Sequence, residues 1–351
     1  MVIRWLLFLS LPQDMFGESA KGITEKTMDR KQIIVLLMSA VWFLPAVAQM
    51  FRNPIINEDA PDPTCIKAED GMYYLFSTGA KVFRSSDMIH WEPRGRFFTP
   101  EGRPSFVPGV RYIWAPDVNY INGQYVMYYA LSKWGGEDSC GVGVAYSKTP
   151  EGPYTNINGT GKLFRSFEIG VRNSIDPCYI REGNRHWLFW GSFSGIYAIE
   201  LTSDGLALKP GSKPLRIGGK AYEGAYIYKR KGYYYFFGSI GTCCEGARST
   251  YTTVVARSRK LLGPYVDKSG RKLLDNHHEI LIHANDRWVG TGHNAELMTD
   301  KNGRTWMPYH AFDLNAPKKG RLVLLDEVKW DRDGWPYVEA ARPSVQAEAA
   351  F

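Results

Sequence analysis

Two similar acidic hexamers in this chain carry residue types that could do acid–base chemistry. Residues 62–67 read DPTCIK and residues 176–181 read DPCYIR, so each has Asp-Pro, two further residues, Ile and a basic residue. Each hexamer opens a run of residues that favour β-strands. If a repeating architecture aims these strands at one place, their carboxylates would meet there.

Tight-turn dipeptides indicate such a repeat. Five of them separate pairs of strand-like runs, and each is followed by an aromatic-rich run, which is typical of β-hairpins. The dipeptides are Asp70-Gly71, Asn122-Gly123, Gly183-Asn184, Lys231-Gly232 and Asn302-Gly303. A polar residue opens the strand before each turn, in the order Asp62, Asp117, Asp176, Glu223 and His293.

Five β-units with no helical periodicity between them predict an all-β fold, a five-bladed β-propeller. In a propeller the first strand of each blade lines a central channel, so the residues that open those strands converge at one mouth. The ends of the second strands, such as Ser77-Thr78 and Gly191-Ser192-Phe193, should flank them. An ordinary two-sheet sandwich would not place acids at matching offsets before successive turns.

Three acids occupy matching positions before their turns, namely Asp62, Asp176 and Glu223. No obvious full set of metal ligands accompanies them, which favours acid–base catalysis on a neutral substrate. Glycoside hydrolysis needs one protonated and one ionised carboxyl group. A third acid raises the pKa of the proton donor by like-charge repulsion. The alternative is that an Asp at a strand start caps a turn or pairs with Arg.

The charge distribution argues against a nucleic-acid binder. The formal net charge is +7, but the 43 Lys and Arg residues are scattered among 36 acids instead of forming a patch. We therefore expect no nucleic-acid partner.

The N-terminal region has the layout of a secretory signal peptide. Arg30-Lys31 precede the apolar run 33–47, which ends in Ala46-Val47-Ala48. A membrane anchor is the alternative, but the run is shorter than the roughly 20 residues that a span needs. We predict an upstream extension plus signal peptide over residues 1–48. The mature chain, residues 49–351, would be periplasmic or secreted, without a stable membrane span.

Five cysteines are an odd number for an oxidising compartment, so at least one is unpaired within the chain. No C-x-x-C spacing suggests zinc. For the neighbours Cys243 and Cys244 we favour two buried small residues over a strained disulfide.

The ordered motifs resemble glycoside hydrolase family 43, most closely its endo-arabinanase branch. The matching stretches run from about residue 53 to 338. They are DAPDPT (59–64), WAPDV (114–118), NSIDP (173–177), EGAY (223–226), CCEGARSTY (243–251), GTGHN (291–295) and WDRDGWP (330–336). The resemblance implies a five-bladed propeller, an inverting mechanism and no covalent intermediate.

The resemblance also implies roles for individual residues. Asp62 resembles the general base, Glu223 the general acid, and Asp176 the residue that tunes and orients the acid. Asp59 is a rival base, and Asp117 is expected to be structural. Implied substrate contacts are Trp114, Trp134, Gly135, Asn173, Ser174, Gly191, Ser192 and Phe193.

His293 differs in kind from the acids at the other strand starts. The family often holds a calcium ion on the channel axis through such a His and water, so we expect one calcium ion there and no organic cofactor. A His that only packs in the core is the alternative.

The expected function is that of an exported endo-acting α-L-arabinanase that cleaves α-1,5-linked arabinan of the plant cell wall, or derived oligosaccharides, by inversion. An exo-acting α-L-arabinofuranosidase or β-xylosidase on the same fold is the alternative within enzymes. A non-catalytic propeller that binds glycan is the alternative from another class.

Overall fold

The computed structural model describes residues 49–351, which form an all-β protein, as predicted. The predicted extension and signal peptide, residues 1–48, lie outside the described residues. Within residues 49–351 the only α-helix is the single turn α1 (Ser166–Ile169), and no helix there is long and apolar enough to cross a membrane. Short 3-10 turns occur at Ile157–Gly159, Gly246–Arg248, Leu273–Asp275, Pro317–Lys319 and Glu339–Ala341.

The strands fall into antiparallel sheets that follow one another along the chain. The first and last strands, β1 (Gln49–Arg52) and β24 (Gln346–Ala349), pair with each other. The next sheet has the order β2-β3-β4-β5. Its strands are Thr64–Lys67, Tyr73–Ser77, Lys81–Ser85 and Glu92–Arg96.

Two further sheets follow in sequence. One has the order β10-β8-β7-β6, with β9 paired to β8. Its strands β6 to β10 are Ile113–Ile121, Gln124–Leu131, Gly141–Ser147, Thr155–Asn156 and Lys162–Arg165. The other has the order β11-β12-β13-β14, with strands Cys178–Glu182, Arg185–Trp190, Ile196–Leu201 and Leu215–Gly218.

The remaining strands form one nine-stranded sheet of two antiparallel parts. Strands β15 to β18 are Glu223–Arg230, Tyr233–Ile240, Thr252–Ser258 and Glu279–Ile282. Strands β19 to β23 are Trp288–Gly292, Met298–Thr299, Thr305–Asp313, Leu322–Trp330 and Pro336–Tyr337. A single parallel pair, Thr252 with Thr291, connects the two parts.

All five predicted turns join antiparallel strands, so the hairpin predictions are confirmed. The turn between β6 and β7 illustrates the cause. Asn122 and Gly123 both have positive φ, 49° and 80°. A two-residue hairpin with φ > 0 at both positions has the twist that suits its strands, and Asn-Gly adopts it readily.

The second strand of each hairpin is buried on both faces. In β7, Tyr125, Met127 and Tyr129 pack against the preceding sheet, while Val126 and Tyr128 pack against the following one. This period-two division of side chains is what a strand between two packed layers requires. The core therefore lies between successive sheets.

The last sheet packs against the first. One hydrophobic cluster joins Trp306, Val323 and Leu325 of the last part with Cys65 and Leu75 of the first sheet. More than two sheets thus pack in succession, which a two-sheet sandwich does not do.

Candidate active site

The structure brings Asp62, Asp176 and Glu223 to the wall of one cavity of about 780 Å³. Their residues are only 9%, 6% and 8% exposed. A cavity of this size lies in the range of about 300–1,000 Å³ that holds drug-sized ligands. Three buried carboxyls around one cavity are costly to keep charged, so their partners decide what they can do.

A strained backbone places two of these acids. Asp62 and Asp176 have φ values of 53° and 57°, and each stands two residues before its strand, β2 or β11. Such φ values are uncommon for residues with a side chain, and they cluster at functional sites. The following prolines, Pro63 and Pro177, fix the next φ and so direct the chain from the cavity into the strand.

Asp62 is held in its ionised form. Arg321 Nη1 donates a 2.8 Å hydrogen bond to Oδ1 of Asp62, and the Thr78 hydroxyl donates a 2.6 Å bond to Oδ2. Burial opposes ionisation, but the Arg321 guanidinium, helped by His293, holds the pKa of Asp62 well below its usual range. This carboxylate is therefore charged throughout the physiological pH range.

Glu223 has the opposite behaviour. It begins β15, and its Oε2 accepts a 2.6 Å hydrogen bond from Ser192 Oγ. Burial and the negative charge of Asp176 raise the pKa of Glu223 to about 7, although hydrogen bonds from Ser192 and Tyr251 oppose the rise. Glu223 can thus keep a proton near neutral pH.

Asp176 lies between these two extremes. Its Oδ2 accepts a 3.1 Å hydrogen bond from the backbone N–H of Gly224, the residue after Glu223. Burial raises the pKa of Asp176 to about 6, with Asp62 adding to the rise and His293 opposing it. Asp176 therefore both orients the segment that carries Glu223 and places a negative charge beside it.

Two histidines lie beside Asp62, and only His293 is charged near neutral pH. Burial disfavours the charged form of His293, but the carboxylates of Asp176 and Asp62 outweigh it and raise its pKa to about 9. His293 Nδ1 lies 3.4 Å from Asp62 Oδ1. Burial keeps the pKa of His310 well below its usual range, and its unprotonated Nδ1 accepts a 3.1 Å hydrogen bond from the Asp62 N–H.

Two polar residues do not open strands as predicted. Asp117 lies inside β6 and does not line the cavity. The position that corresponds to Asp62 is held by Ala115, which likewise precedes a proline and has a positive φ of 40°. His293 lies in a break between β19 and β20, both of which pair with β21. Because β6 contains a bulge and β19 is separated from β20 by this break, counting residues back from the turn does not locate the start of the strand.

The predicted substrate contacts divide into two groups. Five of them line the cavity, namely Trp114, Trp134, Asn173, Ser192 and Phe193. Gly135, Ser174 and Gly191 are not part of its lining. Ser174 is instead buried, with its hydroxyl bonded to the Val171 carbonyl at 2.8 Å, and Gly191 has φ 127° in a turn too tight for a Cβ.

Sequence reasoning missed the roles of two lining residues, Arg321 and Tyr251. Arg321 follows no motif, and only the fold brings it to Asp62. Tyr251 closes the stretch CCEGARSTY, but nothing marked it as a partner of Glu223. Asp59, the rival base, does line the cavity, where its Oδ1 accepts a 2.9 Å hydrogen bond from the Arg321 N–H.

The preferred interpretation of the neighbouring cysteines is wrong. Cys243 and Cys244 form a disulfide in the cavity wall, and Cys244 is exposed. Cys65, Cys140 and Cys178 are free and buried. The odd cysteine count is thus explained by one bond between adjacent residues and three buried thiols.

One cavity therefore contains a carboxyl that can hold a proton near neutral pH and a carboxylate that cannot. Environments that separate the pKa values of two acids are the mark of paired acid–base chemistry. Exposed aromatic rings of Trp134, Tyr112 and Phe193 lie on the same wall. Such rings suit the C–H faces of a neutral, hydroxyl-rich ligand.

Comparison with known proteins agrees with this chemistry. Residues 51–336 match the family model described as Glycosyl hydrolases family 43. An extracellular endo-α-(1→5)-L-arabinanase of Bacillus subtilis (strain 168) is 34% identical over 298 residues, which cover 80% of this chain and 88% of that protein. An extracellular exo-α-(1→5)-L-arabinofuranosidase of Cellvibrio japonicus is 31% identical over 310 residues, covering 80% and 86%.

Solved structures give the same result. The α-L-arabinanase of Cellvibrio cellulosa complexed with arabinohexaose has a TM-score of 0.72 and 29% identity, covering 80% of this chain and 95% of that chain. An exo-1,5-α-L-arabinanase from a bovine ruminal metagenomic library has a TM-score of 0.71 and 33% identity, covering 82% and 99%.

Proposed function

This chain belongs to the glycosyl hydrolases family 43, and from that premise we propose that it cleaves α-1,5-linked L-arabinan at internal bonds, with inversion at the anomeric carbon. The observation that carries the proposal is the opposite ionisation of Glu223 and Asp62 in one cavity. The relatives that act on α-1,5-linked arabinan supply the substrate class.

In the proposed reaction Glu223 donates its proton to the glycosidic oxygen as the bond to the anomeric carbon breaks. A water molecule attacks that carbon from the opposite face, and Asp62 accepts the proton that this water loses. The proton balance is closed when Glu223 recovers a proton from solvent and Asp62 releases one. Asp176 raises the pKa of Glu223 and holds the Gly224 N–H, so it is a positioning residue.

Cavity-lining aromatic residues support binding of a polymer. The rings of Trp114 and Trp134 lie 5.6 Å apart, and the side chain of Trp134 is largely exposed. Asn173 holds the segment beside the acid, because its Nδ2 donates a 3.1 Å hydrogen bond to the Ser192 carbonyl. We propose that these residues and Phe193 contact successive sugar units.

Five blades around a central channel are the fold that we infer for this function. The five hairpins, the hydrophobic clusters between successive sheets and the cluster joining the last sheet to the first support it. In such a ring Asp62, Asp176 and Glu223 come from the first, third and fourth units.

Exo action is the second candidate, since relatives of both kinds match the chain. An exo enzyme would release one short product from a chain end, whereas internal cleavage gives a ladder of oligosaccharides. The exposed aromatics of the cavity wall favour a polymer that continues beyond the site.

We propose that a calcium ion binds at His293, although the described residues offer it few protein ligands. Among residues 49–351 no three His, Cys, Asp or Glu side chains are grouped so as to hold a metal. His293, whose pKa is raised to about 9, would also have to lose a proton to contact the ion. The ion would therefore be bound mainly by water and weakly. Calorimetric calcium binding that His293→Ala abolishes would support it, whereas binding unchanged by that substitution would remove it.

We also propose that the enzyme is exported. The signal-peptide layout of residues 1–48 supports this, and two relatives are described as extracellular. The intact mass of the protein recovered from outside the cytoplasm tests cleavage before Gln49, and a membrane-bound species that retains residues 30–48 would contradict it.

The product profile on linear, debranched arabinan tests the proposed function. We expect a ladder of oligosaccharides at early times from the wild type and none from Glu223→Gln. Arabinose or a single short product from the first time point would establish exo action instead. No release from any arabinan or xylan, with binding retained, would indicate a non-catalytic glycan binder.

A further inference from the structure

A disulfide between adjacent residues forms part of the cavity wall. Cys243 and Cys244 are bonded to each other, and both line the cavity that contains Glu223. Cys244 is exposed and Cys243 is partly exposed. Neither residue takes part in the proposed proton transfers.

The loop that carries this disulfide is fixed by its own hydrogen bonds. It connects β16 to β17. The Thr250 N–H donates a 3.1 Å bond to the Thr242 carbonyl, and the Thr242 N–H donates a 3.1 Å bond to Thr250 Oγ1. Between them the Glu245 N–H donates a 2.9 Å bond to Ser249 Oγ. The disulfide is thus presented by an ordered hairpin.

The same loop is connected to the proposed acid. The Tyr251 N–H donates a 3.0 Å hydrogen bond to the Thr242 carbonyl. Its buried side chain lines the cavity together with Glu223 and lowers the pKa of that carboxyl. The Tyr251 ring stacks on His310 with centroids 5.6 Å apart. The loop that carries the disulfide therefore leads directly into Tyr251, which lines the same cavity as Glu223.

The chemistry of the bonded pair suits a sugar contact. A disulfide between neighbouring residues closes a small ring of two sulfurs, two Cβ atoms and the backbone that joins them. Its side chains cannot rotate independently, so contact with a ligand costs little side-chain entropy. Sulfur is polarizable and weakly polar, which suits packing against C–H groups.

We propose that the Cys243–Cys244 disulfide is a substrate-binding surface that packs against the C–H face of the sugar unit beside Glu223. This inference rests on the proposed function, because it takes the ligand to be an α-1,5-linked arabino-oligosaccharide. It adds a contact residue pair on the wall next to the acid. The alternative is that the disulfide only stabilises its loop. The two hypotheses predict different changes in kcat and KM when the disulfide is removed.

The test compares the oxidised wild type, the wild type reduced with a phosphine, and the double variant Cys243→Ser/Cys244→Ser. The phosphine takes up the oxygen of one water molecule, and the disulfide becomes two thiols. The readouts are kcat, KM and the pH profile on arabinohexaose, with Tm measured alongside. Phosphine treatment of the double variant is the matched control, because residues 49–351 contain no other disulfide.

Loss of a contact made equally in ground state and transition state raises KM and leaves kcat unchanged. We expect KM to rise about tenfold in both the reduced enzyme and the double variant, with kcat within about twofold. An unchanged KM would overturn the inference. A lower kcat with a shifted pH profile would also overturn it, since disturbance of Tyr251 and Glu223 would then be the cause.

The proposed function and this inference fail separately. If the oxidised wild type releases no sugar, the proposed function fails. The affinity of the same three preparations for arabinohexaose, measured by calorimetry, then tests the disulfide, with the same tenfold weakening expected and equal affinities contradicting it. If the double variant does not fold, the reduced wild type supplies the comparison.

Discussion

Arg321 and Asp62 lie 259 residues apart in the chain, yet the Arg321 guanidinium donates a 2.8 Å hydrogen bond to the Asp62 carboxylate. Their side chains are 16% and 12% exposed, so water screens the pair little. A buried carboxylate without such a partner would take up a proton instead of staying charged. The proposed base therefore depends on a residue from the far end of the sequence.

Replacement of Arg321 by Met should raise the pKa of Asp62 toward and above its usual range. The ionised, active form would then be lost at higher pH, so kcat/KM at pH 5 should fall at least about tenfold relative to pH 7. Arg321→Lys keeps the charge and is the matched control. If the acid limb of the kcat/KM profile lies at the same pH in Arg321→Met and in the wild type, Arg321 does not set the pKa of Asp62.

Asp176→Asn should lower the pKa of Glu223 from its value of about 7, because a neighbouring negative charge is removed. The active form of Glu223 is protonated, so activity is lost as pH rises through this pKa. The basic limb of the kcat/KM profile should therefore move down by about one pH unit. The amide oxygen can still accept from the Gly224 N–H, and a limb that stays in place would show that Asp176 has no electrostatic role.

Asp62→Asn and Glu223→Gln should each lower kcat by about 10²–10⁴ while oligosaccharide affinity is retained. Each change removes one proton-transfer group with little change in shape. Asp59→Asn is the matched control, since Asp59 lines the same cavity and an amide still accepts from the Arg321 N–H. A loss for Asp59→Asn as large as that for Asp62→Asn would assign the base to Asp59.

A second pair of carboxyls, Asp117 and Glu296, should limit stability at alkaline pH. Asp117 is 7% exposed, and burial, together with the charge of Glu296, raises its pKa well above the usual value. A carboxyl with a raised folded-state pKa contributes stability at low pH and loses it as pH rises toward that pKa.

Asp117→Asn should therefore stabilise the protein at pH 8 by about 1 kcal/mol, or about 2–4 °C in Tm. No gain is expected at pH 4, where the wild-type group is protonated. The Asn oxygen can still accept from the Tyr179 N–H, which Asp117 does at 2.8 Å. A Tm difference that does not change between pH 4 and pH 8 would rule out ionisation as the cause.

The sequence predicted the features that local chemistry determines. Turn dipeptides located all five hairpins, and the Asp-Pro hexamers located two of the three proposed catalytic-site acids, Asp62 and Asp176. The bulge at Ala115 and the break at His293 escaped prediction, because pairing with neighbouring strands determines them. Arg321 and the Tyr251 contact with Glu223 escaped it as well, since only the three-dimensional arrangement brings those residues together.

Side-chain environment was harder to predict than strand position. Ser174 stands in a predicted contact segment, yet its hydroxyl bonds within its own loop and to the Trp190 indole at 3.0 Å. Adjacent cysteines do not reveal from sequence whether they face the core or a cavity. Both outcomes depend on which face of a short loop the fold turns inward.

The configuration of the first product distinguishes inversion from retention. Proton NMR of wild-type enzyme on linear α-1,5-arabinan, recorded before mutarotation, shows which anomer is released. Glu223 as acid and Asp62 as base for water predict that the β-anomer appears first. First appearance of the α-anomer would mean retention and a covalent intermediate, and would contradict the assignment of Asp62 as a general base.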